Sequence, residues 1–158
     1  FSQGNKLKYY GKLFRLIKTQ CPETVFYGTD LSHFDDSLGK NYLKYLAKQD
    51  DKNQVARVKE VIDQAKVRDG YLEEFKKTKD DDLLIKSADY REKALVDNFI
   101  YEFENLKDKR VMGIYGAYHL EIPEDMKIGK EDIMGVQLKN HYGDILDLQI
   151  LSQIRVEE

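Results

Sequence analysis

The side chains best suited to acid–base or anion chemistry in this sequence are His119, Asp30, His33 and Arg91. His119 stands just past a short apolar run, Arg110 to Tyr115, that ends in Gly116. Asp30 and His33 stand just past Thr24-Val25-Phe26-Tyr27 and Gly28, so the pattern of apolar run, glycine and polar group occurs twice. An imidazole in that position can act as a general base or a metal ligand, and an aspartate beside it can orient the ring. The competing readings are a histidine bonded to backbone and an aspartate capping the following turn. Arg91 belongs to a helical pattern in which Arg91, Asn98 and Glu102 fall within about 20° of one another. That polar ridge runs partly into the apolar face, so Arg91 is expected to be partly buried and to need an acidic partner. A site role and a local salt bridge to Glu92 or another surface acid account for it equally well.

Positioning these groups falls to the elements around them. Residues 5–20 place Leu7, Tyr10, Leu13, Phe14 and Ile17 on one helical face with lysines opposite. Pro22 stops that helix. Residues 24–28 are β-branched and aromatic and predict a strand. Residues 38–48 predict a short amphipathic helix that ends at Asp50-Asp51. Residues 53–77 predict a long charged helix with a narrow stripe through Val58, Ile62, Ala65, Leu72 and Phe75, which suits an excursion or lid around residues 50–80. Lys79 to Asp82 predicts a turn and a solvated helix start rather than a calcium loop, because the aspartates do not alternate and no glycine follows. Ser87 is placed as the cap of a helix reaching Leu106, with Leu95, Phe99, Phe103 and Leu106 inward.

The run 110–115 predicts a central strand buried on both faces. Residues 131–142 predict a helix with Met134, Leu138 and His141 on one stripe, His141 being a structural residue at its carboxyl end. Residues 144–156 predict a last strand. The order implies an α/β fold, a mostly parallel sheet flanked by helices, with ligands at the strand carboxyl ends. Asp30, His33 and His119 would converge on that rim, with Arg91 brought to it by its helix.

Composition narrows the function classes. The chain has 158 residues, a net charge of −3 with both signs interspersed, and a single cysteine, Cys21. One domain with a real core is expected. There is no basic field for nucleic acid, no apolar run as long as a membrane span, and no second cysteine for an intrachain disulfide. The sequence opens at Phe1 almost directly in a helical pattern, so a fragment or processed chain is expected, extracytoplasmic if a signal peptide has been removed.

Gly116-Ala117-Tyr118-His119 resembles the G-x-x-H motif of a superfamily of α/β hydrolase-like domains that groups the erythromycin-esterase-like, ChaN-like and TraB/Tiki proteins. Phe26-Tyr27-Gly28-Thr29-Asp30 looks like the strand ending in Gly-x-Asp in such domains. Tyr90 to Asn98 looks like their arginine-started helix, and Gly135 to Asp144 resembles the closing helix and final strand. The resemblance covers most of the chain outside residues 50–80. It implies the carboxyl-terminal portion of one domain, whose amino-terminal portion would supply another G-x-x-H element and an acidic residue.

The resemblance further implies a hydrolase acting on an ester or peptide bond of a small-molecule or peptide substrate, with a divalent metal in some members. The alternative it leaves open is a non-catalytic module binding a ligand, haem or a partner. Residue by residue, it makes His119 the general base or metal ligand. Asp30 becomes the carboxylate orienting it, and Arg91 the group that meets substrate or developing negative charge. Tyr115, Tyr118 and His33 would line the substrate pocket, Tyr118 being equally suited to packing.

Overall fold

The computed structural model describes residues 3–31, 37–50, 52–106, 110–120 and 133–148. Among them the regular elements are five helices: α1 (Gln3–Gln20), α2 (Ser37–Lys48), α3 (Lys52–Thr78), α4 (Asp81–Glu104) and α5 (Met134–Tyr142). Short 3-10 turns at Ala117–His119 and Gly143–Ile145 lie before and after α5.

The organising element is α4. Ala94, Leu95 and Val96 are consecutive and all buried. At about 100° per residue, three such neighbours cover two sides of a helix, so α4 must be enclosed from both. On one side Ala94 packs with Leu31 and with Ala65 of α3, bordered by Val61 and Tyr90. On the other, Leu95, Val96 and Phe99 pack with Met134 and Leu138 of α5, bordered by Phe103, Tyr115 and Tyr142. Phe99, Phe103 and Tyr142 form an aromatic cluster, the Phe103–Tyr142 rings edge to face at 5.0 Å. Leu95 is fully buried, so truncating it to alanine costs about 2–5 kcal/mol.

α3 and α4 run antiparallel, with partners from Arg57 over the Tyr101 ring to Tyr71 edge-on to Tyr90. The stretch expected as an excursion or lid is thus packed along the central helix. The reversal between them places Lys79 at φ 59°. Asp80 then caps α4, its side chain accepting from the Asp82 backbone N–H at 3.0 Å. Asp81 and Asp82 occupy the first turn, where the helix dipole favours negative charge. This corrects the start expected at Ser87. Ser87 lies inside the helix and is buried, because the aspartate run is the stronger start signal.

The larger correction concerns fold class. The α/β architecture with a mostly parallel sheet is not present: no β-strand occurs among the described residues. Residues 24–28 and 110–116 run without helical structure and pair with no neighbour as a ladder. Their β-branched and aromatic residues fit a pleated surface, but a strand exists only when a second segment takes its N–H and C=O groups. The stretch expected as the last strand instead opens in the turn Gly143–Ile145, with Gly143 at φ 61° closing α5. Its residues 149–156 lie outside the described residues.

Candidate functional site

The site grows from two adjacent residues of α4, Arg91 and Glu92. Arg91 reaches back to Asp30, 61 positions earlier, in a two-point contact: Nε donates to Oδ1 at 3.0 Å and Nη2 to Oδ2 at 2.5 Å. Asp30 Oδ1 also accepts from the Leu31 backbone N–H at 2.7 Å. Leu31 is itself sealed in the core, so the carboxylate is held by packing on one side and by a fork of donors on the other. The partner that Arg91 needs is therefore the distant Asp30 rather than the neighbouring Glu92.

Glu92 faces the other way. One oxygen, Oε1, lies 2.6 Å from His119 Nδ1, and Oε2 accepts from the Met134 backbone N–H at 2.9 Å. Met134 is the first residue of α5, whose own N-cap, Ile133, has no side-chain acceptor. Glu92 thus caps α5 from another helix and fixes the imidazole with the same carboxylate. Both side chains of the pair are nearly buried, 12% exposed for His119 and 10% for Glu92. The 3-10 turn from Gly116 sets the imidazole's height, with the His119 N–H bonding to the Gly116 carbonyl at 3.0 Å. Gly135 lets α5 begin against that turn. A Cβ there would stand 3.1 Å from Leu120 Cα and 3.2 Å from the His119 carbonyl oxygen.

Tyr115 joins the two halves. Its hydroxyl lies 2.6 Å from Thr29 Oγ1, next to Asp30, and its ring meets the His119 imidazole edge-on with centroids 6.4 Å apart. Burial pushes the Tyr115 phenol above its ordinary range, the Thr29 hydrogen bond partly offsets this, and the Asp30 charge adds to the rise. The contacts close into a ring: Arg91 to Asp30, Thr29 to Tyr115, Tyr115 to His119, His119 to Glu92. Asn98, about two turns beyond Arg91 on α4, fastens this ring to α3. Its amide nitrogen donates to the Thr29 carbonyl at 2.9 Å, and its oxygen accepts from Arg57 Nη2 at 2.7 Å.

The residues expected at the site are therefore placed as follows. Asp30, Arg91, Tyr115 and His119 are brought together. Tyr118 is mostly exposed. His33 lies outside the described residues. The carboxylate bonded to His119 Nδ1 is that of Glu92, while Asp30 bonds to Arg91 and to the Leu31 N–H. Sequence reasoning weighed Glu92 only as a local partner of Arg91. The signal available was its place beside Arg91 on a helix whose neighbours are apolar, which calls for a partner of its own.

No protein-family model, curated protein or solved structure matches this chain. The chemistry must be read from the ring of contacts itself. Among the described residues no group of three His, Cys, Asp or Glu is arranged around one point. What the arrangement can do is hold an imidazole in one tautomer. A carboxylate on Nδ1 keeps the proton there and leaves Nε2 as the basic nitrogen.

Proposed function

We propose that this chain contributes the general base and the charge-stabilising cation of a hydrolase acting on an ester or peptide bond. The carrying observation is the 2.6 Å contact between Glu92 Oε1 and His119 Nδ1 in a nearly buried setting. In this reading His119 Nε2 takes a proton from the attacking water. Glu92 stabilises the imidazolium that forms, and the oxygen of the water bonds to the carbonyl carbon. The C–O or C–N bond to the leaving group then breaks as His119 gives that proton to the departing alcohol or amine, and the acid product remains. Arg91, held in place by Asp30, faces the charge that develops on the carbonyl oxygen. The groups that hold the water and the rest of the substrate come from outside the described residues. The resemblance of Tyr90–Asn98 and Gly116–His119 to the arginine helix and G-x-x-H of the erythromycin-esterase-like, ChaN-like and TraB/Tiki proteins supports the same reading.

The test is hydrolysis of a panel of activated esters and short peptides by the intact polypeptide. Replacing His119 with alanine is expected to lower kcat by about 10²–10⁴-fold, the ordinary contribution of a general base. Glu92→Gln is expected to lower kcat with KM little changed. Full activity in His119→Ala, or no turnover of any substrate by the intact protein, overturns the proposal. Tight ligand binding without turnover would establish a binding module instead.

A further inference from the structure

α1 stands apart from the rest of the chain in both charge and packing. It carries Lys6, Lys8, Lys12, Arg15 and Lys18 and no acidic residue, in a protein whose net charge is −3. Helix α1 is not among the helices that pack extensively on one another, and among its described side chains Leu13, Phe14 and Leu16 are exposed. Lys12, Arg15 and Lys18 lie on the opposite half of the helix, as their spacing from Leu13, Phe14 and Ile17 requires.

The exposed apolar surface does not stop at the helix. Phe14 packs edge-on against Phe26 with ring centroids 5.0 Å apart. Lys18 Nζ donates to the Pro22 and Thr24 carbonyls at 2.6 and 2.8 Å, which folds residues 22–26 back onto the helix end. Val25, Phe26 and Tyr27 are themselves exposed. Leu13, Phe14, Leu16 and residues 25–27 therefore present one exposed apolar surface, and over residues 12–18 the opposite half of α1 carries Lys12, Arg15 and Lys18.

We propose that α1, with Val25–Tyr27, is an interfacial element that seats this protein on an anionic phospholipid surface. An apolar patch alone would fit many partners. Lys12, Arg15 and Lys18 with no acid over residues 11–20, and Glu23 the one acid of the segment folded back on them, favour an occupant that is negatively charged. The split into an apolar half and a cationic half suits a plane that offers acyl chains below and phosphates around, since lysine stems can snorkel to the headgroups. The helix lies in the plane of the surface rather than across it, because no described helix is long and apolar enough to span a membrane.

The experiment is co-sedimentation of the full chain with vesicles of phosphatidylcholine alone and of phosphatidylcholine mixed with phosphatidylglycerol. Binding is expected to the mixed vesicles, to weaken as salt is raised, and to be at least about tenfold weaker for neutral vesicles. Leu13→Gln with Phe14→Gln, and separately Lys12→Glu with Arg15→Glu, should each lower partitioning by about tenfold or more. Their circular dichroism should match the parent. The chain has no tryptophan, so Leu16→Trp supplies a single reporter that keeps the helix face apolar. Its emission is expected to shift to the blue with mixed vesicles only. No binding to either vesicle, equal binding to both, or an unshifted Leu16→Trp emission overturns the proposal. So does self-association that the Leu13 and Phe14 substitutions abolish while vesicles stay unbound, which would make a second copy the occupant.

Discussion

Glu92 and His119 are joined across 27 positions by a 2.6 Å contact, and the same carboxylate holds the first backbone N–H of α5. The imidazole and the start of a core helix therefore share one anchor. Any change in that anchor is felt in both places.

A double-mutant cycle on Glu92→Gln and His119→Ala measures the link. The expected coupling is about 1–3 kcal/mol by urea denaturation, as befits a nearly buried hydrogen bond with a charged acceptor. Glu92→Ala should cost more than His119→Ala, because it also removes the acceptor for Met134 N–H. Equal costs would show that the cap on α5 is unimportant.

Arg91→Lys is not a conservative change here. Lysine cannot make the two parallel contacts with Asp30, since it has no fork of donors. Both side chains are partly exposed, 22% for Arg91 and 35% for Asp30, so the whole pair is worth only about 1–2 kcal/mol. Arg91→Lys should lose most of that in an Asp30 double-mutant cycle. Retention of the full coupling would mean that charge alone, not the fork, holds the pair.

Tyr115 gives a pH signature. Burial first, and the Asp30 charge after it, raise the phenol above its ordinary value, while the Thr29 hydrogen bond lowers it. A raised folded-state pKa means that the contribution is complete below about pH 10, the unfolded value, and is lost as pH climbs through the folded one. In an NMR titration of ring-labelled tyrosines, a late-titrating signal should vanish in Tyr115→Phe. Thr29→Val should move that signal to still higher pH. The alkaline fall in stability should be shallower in Tyr115→Phe than in the parent.

Gly135→Ala tests how closely α5 abuts the histidine turn. Helix propensity alone favours alanine by about 1 kcal/mol. The added Cβ would press on Leu120 Cα and the His119 carbonyl, which are backbone atoms with little room to move. The propensity gain is expected to be cancelled or reversed, and the His119 ring signals to shift in NMR. A gain of the full propensity difference with unshifted His119 signals would show that the turn yields freely.

Much of the helical skeleton was legible in the sequence because each amphipathic stripe is a local property. Leu13, Phe14 and Ile17 mark α1; Met134 and Leu138 mark α5. The spacing of Arg91 and Asn98 on α4 marked a half-buried polar ridge, whereas the convergence of Asp30, Arg91 and His119 was expected from the rim of a parallel sheet that is not present among the described residues. The apolar runs 24–28 and 110–115 misled, because strand propensity describes how a side chain fits a sheet, not whether a second strand lies alongside. Local chemistry could say that Arg91 needs an acid and that His119 invites a carboxylate. Which carboxylate goes to which partner is a matter of distance across the folded chain. Only the packing of α4 between α3 and α5 assigns Asp30 to Arg91 and Glu92 to His119, since burial on both sides fixes the rotation of the helix that carries Arg91 and Glu92 side by side.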